Sequence, residues 1–126
     1  MDRKPVQTSD APAAIGTYSQ AIRTHDTVYV SGQIPLDPVS GELVNGDISA
    51  QIRQVFDNLR AVVHAAGGDL NNAVKITVYL IDLVHFPVVN QIMAEYLQEP
   101  YPARAAVGVT ALPKGAAVEA DAVVAL

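Results

Sequence analysis

Arg104 stands in "YPARAAVGV" (101–109), a run otherwise made of alanine, valine, glycine and proline after its opening tyrosine. A guanidinium keeps its charge at any ordinary pH, so it cannot escape the cost of burial by losing a proton. Two readings follow. Arg104 pairs with Glu119 or Asp121 on a neighbouring strand, or it presents a planar fork to a ligand carboxylate, which arginine meets better than lysine. Glu119 lies in "AAVEADAVVAL", a segment too apolar to need a charge for solubility. It reads either as the partner of Arg104 or as a general base that orients water. Apolar surroundings would raise its pKa and an arginine would lower it, so the net sign stays open. Asp121 shares its face but lies nearer the chain end, where solvation is the simpler account.

The remaining polar candidates are less constrained. Ser31 in "VSGQ" has no G-x-S-x-G elbow around it, and the three histidines suggest no triad. It reads as a hydrogen-bonding group, not a nucleophile. Tyr18 offers a phenolic hydroxyl just ahead of the first strand, though an interface or core aromatic needs no function. His25, His64 and His85 show no i, i+4 pairing, and the chain has no cysteine. No metal site, disulfide or thiolate nucleophile is expected. "GGD" (67–69) follows a helix instead of opening one, so it does not read as a phosphate loop.

Those residues need a scaffold. The 126 residues, 50% of them hydrophobic, predict one globular domain spanning 1–126. A net charge of −5 gives no footprint for nucleic acid or an anionic membrane. The opening "MDRKPVQTSDAPAAIG" lacks the apolar stretch of a secretory signal. No apolar run approaches the roughly 18 residues of a spanning helix, so a soluble, cytoplasmic chain is expected.

The first fifteen or so residues read as an extended lead-in. "YSQAIRT" (18–24) and "TVYVSGQ" (27–33) predict a hairpin, and 34–46 a loop or irregular hairpin. Ile52, Val55, Phe56, Leu59, Val62, Val63 and Ala66 recur at helical spacing, with Asp47 placed to cap the start and Gly67-Gly68 to end it. Strand 73–80, a helix near 86–97 and strands 103–109 and 116–125 complete a β-β-α-β-α-β-β order. That order predicts an α/β (α+β) fold with two helices on one face of a mixed sheet.

Alternation adds detail. Val74, Ile76, Val78 and Leu80 would face the helices, as would Ala105, Val107 and Val109. The opposite face would carry Ser31, Gln33, Thr77, Tyr79, Arg104 and Glu119 beside Ala106 and Gly108. So many small residues predict that a second copy of the chain partly covers that face, with a site built between subunits.

Together, "APAAIGTYSQA", "VYVSGQIPLDPVSGEL", "QVFDNLRAVVHAAGGDLNNAVKITVYLIDL", "VNQIMAEYL" and "PARAAV" closely resemble the RidA family, also called YjgF or reactive intermediate deaminases. The likeness runs from about residue 8 to the C-terminus. It implies a chorismate-mutase-like fold assembled as a homotrimer with intersubunit sites. It also implies hydrolysis of enamines and imines such as 2-aminoacrylate, 2-iminopropanoate and 2-iminobutanoate to 2-oxo acids and ammonia, without metal or cofactor. By this resemblance Arg104 binds the substrate carboxylate, Glu119 positions water, and Tyr18, Ser31 and Asn90 line the site. Many members carry a cysteine where this chain has Ala106, so any role of a site thiol is in doubt, whereas the backbone N–H at Ala106 survives. The link from the second helix to "PAR" is also short. Two rival expectations are a ribonuclease, which the acidic charge disfavours, and a noncatalytic trimer binding small 2-oxo acids, which would need Arg104 but not Glu119.

Overall fold

A computed structural model describes residues 2–126. Six strands form one mixed sheet: β1 (Lys4–Val6), β2 (Ala21–Thr24), β3 (Thr27–Gln33), β4 (Ala73–Leu80), β5 (Ala103–Gly108) and β6 (Val118–Ala125). Two helices, α1 (Ile48–Ala65) and α2 (Phe86–Tyr96), accompany it. The strand order is β1-β2-β3-β6-β4-β5, antiparallel throughout except for the β4–β5 pair. The expected order therefore gains one strand, because the lead-in pairs Lys4–Val6 with the edge of β2.

Helix α1 forms where its apolar residues recur every three or four positions. Asp47 accepts the Ala50 N–H at 3.0 Å and caps the start. The end closes as a Schellman turn: Gly68 N–H donates to Val63 O and Gly67 N–H to His64 O, with Gly67 at φ +90°. The helix buries Ile52, Phe56 and Leu59 over β3 and β6, whose buried residues include Val28, Val30, Ala122 and Val124. Each such side chain contributes about 1.5–3 kcal/mol by leaving water. Its one buried polar residue, Asn58, donates to Ile34 O and Leu36 O and so ties the 34–46 segment to the core. That segment is an irregular hairpin closed by a Leu36–Leu43 bridge.

Two bulges alter the expected alternation. On β4 an extra residue lies between the pairs Ala73–Val124 and Lys75–Val123, so Val74 turns to solvent and Ala73 enters the core. On β3, Ser31 and Gly32 together oppose Asp121, between Val30–Ala122 and Gln33–Ala120. Gln33 consequently joins the helix-side face and is buried, instead of facing outward.

The largest correction concerns β5. It runs parallel to β4 with Arg104 beside Ile76, Ala106 beside Val78 and Gly108 beside Leu80. Paired residues share a face, so Arg104, Ala106 and Gly108 lie on the helix side, and Ala103, Ala105 and Val107 on the outer side. The reason is position: β5 is the last strand, where the helix side is no longer core but the flank of α2. Small residues are needed there, since a Cβ on Gly108 would lie 3.3 Å from the Leu83 side chain. Among the described residues, no helix is long and apolar enough to cross a membrane.

Candidate active site

Arg104 reaches from the edge strand onto α2. Its Nη1 donates to Asn90 Oδ1 at 2.9 Å and lies 3.8 Å from the Met93 sulfur. Its guanidinium carbon sits 4.7 Å from the centre of the Phe86 ring, a cation–π arrangement. Phe86, Asn90 and Met93 follow at i, i+4 and i+7, which stacks them along one stripe of α2. Neither expected ion pair forms: among the described residues Arg104 has no carboxylate partner, and Asp121 instead accepts the Tyr79 hydroxyl at 3.0 Å. Neutral groups hold the guanidinium, so its charge remains available to an anion.

The cavity beside it measures about 300 Å³ and is lined by Asn90, Met93, Ala94, Leu97, Tyr101, Pro102 and Arg104. Ala106 follows on the same side of β5. Val109 N–H turns inward to Leu80 O at 2.9 Å. Backbone direction alternates along a strand, so the N–H groups of Gly108, Ala106 and Arg104 turn out from the open sheet edge.

Glu119 lies on the opposite face of the sheet, beside Tyr79. It shares a groove of about 440 Å³ with Tyr18, Gly32, Ile15, Ile34 and Lys114. Gly32 leaves the room that this position of the carboxylate uses. A Cβ at that position would collide with the Glu119 carboxylate, whose Oε2 is closest and whose Cδ would lie only 3.0 Å away. Within one chain no arginine is at hand, and burial, then the negative charge of Asp121, push the Glu119 carboxyl above the usual glutamate range.

Ser31 anchors the loop that carries Tyr18, its hydroxyl donating to Ser19 O and its N–H to Gln20 O. The structure thus brings Arg104 to Asn90, and Tyr18, Ser31 and Glu119 to one neighbourhood, while a sheet separates the two groups.

Three contributors escaped sequence reasoning. Phe86 and Met93 hold Arg104; helical spacing puts them on one stripe with Asn90, but only strand pairing aims the guanidinium at that stripe. Gln20, buried ahead of β2, accepts Thr8 N–H at 2.8 Å and donates to Thr8 O and Pro12 O at 3.0 and 2.8 Å, clasping the lead-in against the Tyr18 loop. Nothing in the local sequence marks it.

The family described as Endoribonuclease L-PSP matches residues 8–126. A mouse protein named 2-iminobutanoate/2-iminopropanoate deaminase is 50% identical over 96% of this chain and 90% of its own length. RidA from an Antarctic Psychrobacter superposes with a TM-score of 0.95 at 52% identity, covering 98% of this chain and all of that one. Escherichia coli TdcF, solved with bound serine, gives a TM-score of 0.90 at 36% identity and 98% coverage of each chain. An edge-strand arginine braced by α2 and a glutamate seated over Gly32 are therefore set on a scaffold shared along its whole length, and the chain belongs to the RidA/YjgF family.

Proposed function

We propose that the chain hydrolyses 2-imino acids and their enamine tautomers, of the 2-iminopropanoate and 2-iminobutanoate class, to 2-oxo acids and ammonia. The observation that carries this reading is a guanidinium held by neutral side chains at the mouth of a cavity. Such a fork keeps donors that a ligand carboxylate can take in place of water. The mouse relative's name specifies this reaction, and the serine held by TdcF carries the carboxylate that Arg104 would bind here.

Arg104 and Glu119 lie on opposite faces of one sheet, so a single copy cannot direct both at one substrate. We place the site between copies in a homotrimer, where Arg104, Asn90 and the Ala106 N–H of one chain meet Tyr18, Ser31 and Glu119 of the next. The outer face offers Ala103, Ala105, Val107 and Val123 for that contact.

A protonated imine is already electrophilic, so orientation, a positioned water and a proton acceptor suffice. Arg104 pairs with the substrate carboxylate and holds the imine carbon in reach of water. Glu119 takes a proton as the water's oxygen bonds to that carbon and the C=N π electrons move to nitrogen. It then returns the proton to nitrogen. The C–N bond breaks as an oxygen lone pair forms C=O, and the hydroxyl proton passes through Glu119 to the departing ammonia, leaving the 2-oxo acid and ammonium. A carboxyl whose pKa lies above the usual glutamate range suits that exchange, because it holds a proton more readily than an ordinary glutamate. An enamine first gains a proton on carbon.

The family description names an endoribonuclease, but a net charge of −5 opposes a polyanion. The test is a coupled assay with freshly generated 2-iminobutanoate and 2-iminopropanoate, following ammonia release against trapping by semicarbazide. Failure to outpace spontaneous hydrolysis at micromolar chain would refute the reading.

A further inference from the structure

We infer that the groove running from Arg104 along α2 to Tyr101 takes the side chain of the substrate, and that the chain therefore prefers 2-imino acids with branched or long apolar side chains over 2-iminopropanoate. The inference rests on the reading of Arg104 as the carboxylate's holder and adds to it the direction in which the rest of the molecule lies.

The groove is polar at one end and apolar beyond it. Arg104 and Asn90 stand at the polar end. Met93 and Leu97, both buried, form the floor, and Ala94 and Tyr101 are exposed rims. Asn90 and Ala94 lie one turn apart on α2, about 6 Å at 1.5 Å per residue, and the groove runs on past the helix end to Leu97. A methyl group would leave most of its volume of about 300 Å³ unfilled. A side chain of leucine, methionine or phenylalanine size, attached to a carboxylate pinned at Arg104, would cover Met93 and Leu97 instead. Ala94 sets the bore: as the small residue of the stripe, it leaves the passage between α2 and Pro102 open.

The test uses stable products, so that it does not depend on turnover. Affinities of 2-oxopropanoate, 2-oxobutanoate, 2-oxopentanoate and 4-methyl-2-oxopentanoate are measured by calorimetry on the assembled protein and on Ala94→Leu. Leucine is a good helix former at an exposed helical position, so the variant folds, which circular dichroism checks. Affinity should rise about fourfold per buried methylene in the parent protein, and the ratio of the longest to the shortest acid should fall toward one in Ala94→Leu. A flat series in the parent, or an unchanged ratio in the variant, overturns the inference. A rising series that Ala94→Leu flattens, in a protein that hydrolyses no imine, would leave the groove standing and remove the deaminase reading.

Discussion

At Arg104 the distinction between charge and shape can be measured. Arg104→Ala should lower kcat/KM by about ten- to hundredfold, the worth of one charge-assisted bond or more. Arg104→Lys should fail to restore it, because an ammonium cannot offer two parallel N–H bonds. Steady-state kinetics of both variants decide this, and a fully active lysine variant would reduce Arg104 to a point charge. Glu119→Gln separates catalysis from binding. Turnover should fall by about 10²–10⁴ while 2-oxobutanoate affinity is kept. The same variant has a pH signature. The Glu119 pKa is raised in the folded chain, so its protonated form contributes stability that is present below the ordinary value of 4.5 and lost as pH rises through the folded value. In the separated chain, where no arginine faces the carboxyl, Glu119→Gln should accordingly melt at a higher temperature than the parent near neutral pH, with the difference vanishing in acid. Both residues were legible as charges out of place in apolar runs. The brace behind Arg104 was not, because Phe86 and Met93 look like ordinary core residues until strand pairing aims the guanidinium at them.

Strands and helices were legible wherever periodicity was long. The caps of α1 and the apolar face of β6 follow directly from residue spacing. What spacing could not reveal was which side of β5 meets the helices. Apart from Arg104, the six-residue β5 is alanine, valine and glycine with two nearly equivalent faces, and only its parallel register against β4 puts Arg104 beside Ile76. The β4 bulge is equally silent in "AVKI", whereas Gly32 inside "VSGQ" is a strand glycine of the kind that marks a bulge. The β3 bulge makes a specific prediction. Gly32→Ala should fold, because the obstructing atoms are the far end of a flexible side chain, yet it should lose most turnover by displacing the Glu119 carboxylate. Retained melting temperature with lost kcat is the expected pair of readings, and unchanged kcat would show that Glu119 tolerates another place.

For the whole molecule, the two-faced placement of Arg104 and Glu119 predicts complementation. Arg104→Ala and Glu119→Gln chains, each nearly inactive, should regain about a quarter of parental activity when unfolded and refolded together, since one subunit pairing in four joins an intact arginine to an intact glutamate. Activity no higher than the sum of the separate variants would place both residues in one copy. The two ends of the sheet are also protected unequally. β1 is three residues long and carries Lys4 and Pro5, which discourage another strand from pairing. β5 ends the other side with six residues and with Arg104 as its single charge. A chain separated from its neighbours therefore leaves a smooth ladder of amide groups that any extended segment can continue. Heating a dilute sample should then cause clumping through that border before the core melts, and recovery after cooling should worsen as concentration rises.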